Sequence, residues 1–303
     1  MKRPGVLLLG ALPVIAAGVY FAVPGDSADT AAPASPSSSA TARSARDDAK
    51  DRAEEERTAD DALIADLPPG LAAPAKKELA QQLVSSAENS TTRWRTAYGS
   101  IQDVGDGDGY TAGIVGFCTG THDLLTLVER YTEAHPDNGL ARYLPALRKV
   151  DGSDSHEGLD PGFTAAWKAE AEVPAFRAAQ EEERDRVYFD PAVRLAKLDG
   201  LGTLGQFVYY DAMVFHGPDT DPGGFYGLRE QAMAKAKTPG QGDSEKAYLD
   251  TFLDVREQAM RDKRPGIDTS RVDTAQRRFL AAGNLELATP LVWEMYGDTY
   301  RVP

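Results

Sequence analysis

The stretch TTRWRTAYGSIQDVGDGDGYTAGIVGF, residues 91–117, alternates short apolar pieces with glycine-rich turns. That pattern predicts a small β-hairpin sheet, since brief apolar runs broken by residues that tolerate positive φ are how short strands and tight turns read. The rest of the folded part reads differently. Upstream, KKELAQQLVSSAENS, residues 76–90, places Leu79, Leu83, Val84 and Ala87 at helical spacing, which predicts an amphipathic helix ending near Asn89 or Ser90 with Glu88 in its last turn. Downstream, THDLLTLVERYTEAH, ARYLPALRKV, FTAAWKAEAEVPAFRAAQEEERDRVYF, PAVRLAKLDGLGTLGQFVYYDAMVFHG, FYGLREQAMAKAK, EKAYLDTFLDVREQAMRDK and DTAQRRFLAAG all space their apolar residues by three or four. The expected fold class is mainly α (α+β), with one small β-hairpin sheet near its start. No internal repeat is visible.

With 303 residues and 42% hydrophobic content the chain can fill a sizeable core. Its first 23 residues, MKRPGVLLLGALPVIAAGVYFAV, put Lys2 and Arg3 before an apolar run over 5–23, the arrangement of a secretory signal. The run is also long enough for a retained anchor, so membrane contact is expected only if the segment is kept. Residues 24–66 are rich in Ala, Ser, Pro and charge, with almost nothing large and apolar. Such a segment buries too little to offset the entropy of ordering it and is expected to be a disordered linker, with DDAKDRAEEERTADDALI able to form a transient helix through its spaced opposite charges. The folded domain is expected over 67–303, and it carries −10 of the formal −14. This acidity argues against nucleic acid as a partner and fits a cationic or neutral ligand, although it also serves plain solubility. Cys118, the single cysteine, has no internal disulfide partner, and IVGFCTG predicts a buried apolar thiol.

A carboxylate at a helix end and another in a glycine-rich loop 18 residues later are the parts that glycoside hydrolysis needs: one protonates the leaving oxygen while the other activates water. Glu88, beside an apolar helix face, suits the acid, and Asp106, between Gly105 and Gly107, suits a hydrated base, with Thr111 able to hold the water. From the residues alone the commoner meanings are a solvated helix end and a plain turn. A calcium loop is disfavoured, because the ligand alternation from Asp106 breaks at Tyr110 and the twelfth position is Phe117.

The stretches ELAQQLVSSAENS, QDVGDGDGYTAGIVGFCTGTHDLLTLV, ERDRVYFDPAV, LGQFVYYDAMVFHGP and TSRVDTAQRRFLAAGNLEL resemble the family 46 glycoside hydrolases, the chitosanases of actinomycetes, in order and from about residue 68 to the end. The resemblance implies a lysozyme-like fold of two lobes separated by a substrate cleft, and an inverting endo-hydrolase of β-1,4 bonds in chitosan. It implies no metal or organic cofactor; the protein is expected to be secreted and to work as a monomer. In the family's pattern Glu88 matches the general acid, Asp106 the general base and Thr111 the residue that positions water. Asp123 matches a substrate-binding carboxylate, although a carboxylate ahead of LLTLV also suits a helix N-terminus. His216, Tyr188 and Ser90 fall with sugar-contacting positions, for which core packing is the plain alternative. Asp211, Arg256 and Arg271 match a charge network behind the acid, where buried Arg and Asp also need each other structurally.

Two positions depart from the family's pattern. Asp108 stands where an Arg is frequent, and Ser100 where a Tyr is, which leaves the reaction class intact and puts subsite affinities in question. The carboxylate at 108 could recruit a further glucosamine ammonium or act on Asp106 as a like charge. A lysozyme-like hydrolase of chitin or peptidoglycan, and a non-catalytic polysaccharide-binding protein on the same fold, are the alternatives.

Overall fold

A computed structural model describes residues 37–303, so the expected export signal and residues 24–36 of the expected linker lie outside the described residues. Contacts divide the chain after Glu55, and Glu56–Pro303 forms one compact unit. Helix α1 spans Ser37–Ala65. It covers DDAKDRAEEERTADDALI, the part of the expected linker whose spaced opposite charges suit a helix. Its alanine-rich, oppositely charged sequence satisfies the backbone as a helix without a core to bury, and within the compact unit Asp60 and Asp61 pair with Arg194 at 3.3 and 3.1 Å. Among the described residues no helix is long and apolar enough to cross a membrane.

Helix α2 (Pro74–Glu88) opens on Pro74, whose missing N–H and fixed φ suit a first helical position. It buries Leu79, Ala80, Leu83, Val84 and Ala87. Asn89 leaves helical geometry and Ser90 turns to φ +50, so Glu88 is its final residue. The predicted sheet follows as β1 (Ile101–Asp103), β2 (Tyr110–Ala112) and β3 (Phe117–Cys118), antiparallel in that order, with Asp103 opposite Tyr110 and Thr111 opposite Cys118. Helices α3 (Asp123–Ala134), α4 (Leu144–Val150), α5 (Phe163–Glu170) and α6 (Pro174–Arg184) come next. Asp185–Phe189 then forms a π-helical turn that runs into α7 (Asp190–Leu198). Pro191 accounts for it: with no N–H for the carbonyl one turn back, the helix widens just before the ring and continues.

After α7 the chain forms α8 (Thr203–His216), α9 (Phe225–Met233), α10 (Glu245–Lys263), a second π-helical turn over Arg271–Gln276 and α11 (Arg277–Ala281). A second sheet closes the fold, which corrects the expectation of one: β4 (Leu291–Met295) pairs with β5 (Asp298–Val302). Its two-residue turn, Tyr296-Gly297, has φ of +52 and +88, the sign at both positions that matches a tight hairpin to strand twist. The elements fall into two packing groups. In one, the β1–β3 sheet packs with α3 and α5, and α3 with α4 and α6; in the other, α7 to α11 pack in sequence and the β4–β5 hairpin rests on the second π turn. Helix α2 touches α8 of the second group and, through the Trp94 turn, leads into the first.

Candidate active site

Glu88, at the end of α2, keeps 21% of its side chain exposed and ion-pairs with Arg271, the first residue of the second π turn. Arg271 is buried and turns its Nε to Asp211 at 3.1 Å. Asp211, on α8, also receives Arg256 Nη2 at 2.8 Å and Gln276 Nε2 at 2.7 Å, while Arg256 Nη1 donates to Gln276 Oε1 at 2.9 Å. Burial alone would raise the Asp211 carboxyl, but Arg271 and Arg256 outweigh it and hold it below the usual carboxylate range. The Phe215 ring lies 5.0 Å from the Arg271 guanidinium and 5.9 Å from that of Arg256. Buried charges are tolerable only when paired and hydrogen-bonded, and each ion in this chain has both.

Two features of this network escaped sequence reading. Gln276, which ties Arg256 to Asp211, follows Arg271 by five residues on a π turn, and five is not a spacing that helical periodicity searches for. The C-terminal hairpin braces the same place. Buried Trp293 donates Nε1 to Ser86 Oγ at 2.9 Å, two residues before the acid, and Ser90 contacts the Tyr300 hydroxyl two residues after it. Tyr300 stacks on Trp293 with centroids 5.7 Å apart. Tyr296 N–H donates to Ser270 Oγ at 3.0 Å, next to Arg271, and the residue as a whole is exposed.

Asp106 is built differently. It lies exposed on the β1–β2 loop, where Gly105, Gly107 and Gly109 take φ of +72, +95 and +69. The aspartates shape the loop themselves: Asp103 Oδ1 accepts from Gly105 N at 2.7 Å and Asp106 Oδ1 from Asp108 N at 3.3 Å. Gly109 must be glycine for a second reason, since a Cβ there would stand 2.3 Å from Thr119 Oγ1. The loop is thus the open turn that its glycines predicted, and among the described residues no three His, Cys, Asp or Glu groups converge as metal ligands would.

Thr111, on the strand that follows the Asp106 loop, stands beside Glu88. A Cβ on Gly116 would meet Thr111 Cγ2 at 3.1 Å and Glu88 Oε2 at 3.5 Å, so both side chains face the same bare glycine. The Thr111 hydroxyl sits 3.3 Å from Cys118 Sγ, its cross-strand partner, and the thiol donates to the Gly116 carbonyl at 3.1 Å. The expected buried apolar thiol is therefore a partly exposed hydrogen-bonding one. Burial and then the Asp123 charge push it up to about 12, which keeps it a neutral donor.

Asp123 takes the helix N-terminal role that its place ahead of LLTLV allows. As the first residue of α3 it accepts from Leu124 N and Cys118 N, each at 2.9 Å, and from Thr121 Oγ1 at 2.8 Å, while Tyr188 OH donates to its other oxygen at 2.5 Å. Desolvation outweighs these four bonds and raises the carboxyl to about 6. Tyr188, on the first π turn, is buried beneath it and its hydroxyl is engaged by Asp123. His216 Nδ1 donates to the Gly223 carbonyl at 3.0 Å, which leaves Nε2 an unpaired acceptor. Burial, then the charges of Arg256 and Arg271, lower its pKa well below the ordinary value, so the ring is neutral near pH 7. Asp108 meets Lys263 at 3.8 Å, and Ser100, partly buried, accepts Gly113 N with its carbonyl at 2.8 Å.

Comparison with known proteins places this geometry. The model of glycosyl hydrolase family 46 matches residues 82–291. A chitosanase of Streptomyces sp. (strain N174) is 58% identical over 77% of this chain and 84% of its own length. One of Nocardioides sp. (strain N106) is 53% identical over the same shares. Among solved structures, a co-crystal of chitosanase OU01 with substrate shares 51% identity and a TM-score of 0.76, covering 77% of this chain and 99% of that one.

Proposed function

The chain belongs to glycosyl hydrolase family 46, and on that footing we propose that it is an endo-acting chitosanase that hydrolyses β-1,4 linkages with inversion. Its fold is the lysozyme-like one that the resemblance implied. Glu88 protonates the glycosidic oxygen, Asp106 takes a proton from the attacking water, and the Thr111 hydroxyl holds that water on the opposite face of the sugar ring. The observation that carries this reading is the seating of Glu88: a partly exposed carboxyl on a buried Arg271–Asp211–Arg256 chain, facing Thr111 across Gly116.

The chemistry follows from the difference in setting. As Glu88 gives up its proton it gains negative charge next to Arg271, whose own charge is fixed by Asp211 before the reaction begins. A preformed cation placed where charge develops favours the transition state over the ground state. The Asp106 loop offers what a base activating water needs, exposure and room. Asp123 and the acidity of the domain suit a polymer of ammonium-bearing units, and the signal-like N-terminal sequence supports an enzyme that works outside the cell.

Reducing-end release by the full chain, from highly deacetylated chitosan and from chitin, tests the substrate class. Chitosan is expected to be the better substrate, and preference for chitin or peptidoglycan would move the function to a lysozyme-like hydrolase. General acid and base groups each contribute about 10² to 10⁴ in rate, so Glu88→Gln and Asp106→Asn should lower kcat by at least about a hundredfold. Proton NMR of the first product should show the α anomer; a β anomer would rule out inversion.

A further inference from the structure

Asp108 and Lys263 come from different packing groups. Asp108 sits on the β1–β2 loop two residues after Asp106, to which its own N–H donates, and Lys263 is the last residue of α10. Their charges meet at 3.8 Å with side chains 32% and 63% exposed. A pair this long and this open is worth a few-fold in an equilibrium constant. The Lys263 charge also reaches His216, another of the residues expected to contact sugar.

An ammonium is out of character at this place. The domain is strongly acidic, and a cation beside the base loop opposes the approach of a polycation. What Lys263 presents to Asp108 is, however, the group that every glucosamine unit carries, a primary ammonium. We infer that Asp108 is an ammonium-binding residue for a glucosamine unit close to the scissile bond, held by Lys263 in the free enzyme and exchanged to the substrate on binding. This rests on the chitosanase reading given above.

The exchange explains why a carboxylate is tolerable so near Asp106. Asp108 has a cationic partner before and after substrate arrives, so it does not face the base as an uncompensated like charge. It also sorts substrates. An N-acetylated unit has no charge with which to displace Lys263, so the pair selects for a free amine at that subsite. Because the Asp108 N–H contacts Asp106, the exchange takes place on the loop that carries the base.

Titration calorimetry of the glucosamine hexamer into the full chain carrying Glu88→Gln, which prevents turnover, tests the exchange at low salt. Lys263→Met should tighten binding about two- to fivefold by freeing Asp108, and Asp108→Asn should weaken it by a similar factor. In the Asp108→Asn background the gain from Lys263→Met should disappear. An equal gain in both backgrounds would mean that Lys263 acts only through the general field, and no gain in either would mean that it does not compete; each result overturns the exchange. Chitosan hydrolysis by the unaltered chain separates the two levels of inference. Its absence removes the chitosanase reading, whereas hydrolysis with additive titrations removes the exchange alone.

Discussion

The end of α2 and the β1–β2 loop each deliver one carboxylate, and they do so by opposite means. Glu88 is fixed from outside its own segment, by Arg271 on a π turn, by Trp293 reaching Ser86, and by Tyr300 against Ser90. Asp106 is fixed from within, by three glycines at positive φ and two aspartates that accept their own loop's N–H groups. The difference follows the work each group does. An acid whose departing proton leaves a charge behind needs a rigid, preformed field, and such fields are made by buried ions. A base that activates water needs hydration, which a buried network would remove.

If that contrast is sound, stability and activity should separate at one site and move together at the other. Asp106→Asn should lose at least about a hundredfold in kcat, yet keep its unfolding free energy within about 0.5 kcal/mol, as exposed substitutions do. Arg271→Ala takes from Asp211 one of its two guanidinium partners and from Glu88 its ion pair, and should lower the unfolding free energy by about 3 kcal/mol in urea titrations, together with kcat. Equal stability losses in these two variants would break the comparison. Trp293→Phe sharpens it. Loss of the bond to Ser86 and part of the indole's packing should cost about 1–2 kcal/mol, with a fall in kcat that Tyr300 at its ordinary place does not prevent.

The smallest effect is one of pH. The Asp123 carboxyl titrates near 6, above the usual carboxylate range, because burial disfavours its charge. It is therefore ionised above about pH 6 and neutral below. Acidification charges the substrate's amines, which should tighten binding, whereas protonation of Asp123 should weaken it. KM for glucosamine oligomers is expected to rise about fivefold as pH falls through 6, and Asp123→Asn should abolish the rise. The sign for folding is opposite: because the folded value lies above the unfolded one, Asp123 disfavours the folded state above pH 6, and that cost is relieved as pH falls towards 4.

Local chemistry was legible in the sequence and long-range chemistry was not. The apolar spacing of Leu79, Leu83 and Val84 placed α2, and the glycines of DVGDGDG placed the loop, because both depend on neighbours within a few residues. The resemblance supplied Arg271, Asp211 and Arg256, but not Gln276, whose spacing belongs to a π turn. The LVWEMYGDTYRV hairpin has alternating strands around a Tyr-Gly turn and could have been found; Tyr at a left-handed position, in place of the usual Asn, hid the signal. Within the expected linker, the helical stretch DDAKDRAEEERTADDALI was legible from its spaced opposite charges, which act between neighbours within a turn. No pattern in either segment announces that Lys263 meets Asp108, since nothing local links a helix end to a loop 155 residues earlier.

The bonds that seat the acid span great lengths of chain, 207 residues from Ser86 to Trp293 and 183 from Glu88 to Arg271. The hairpin that carries Asp106 closes over fewer than a dozen residues, between Ile101 and Ala112. Contacts between distant residues form late, because the entropy of closing the intervening loop comes before any return. During synthesis the base loop can therefore take shape while Arg271 and Trp293 do not yet exist. A growing chain holds a shaped base loop and an acid not yet seated, and hydrolytic competence is the last property that the polypeptide acquires.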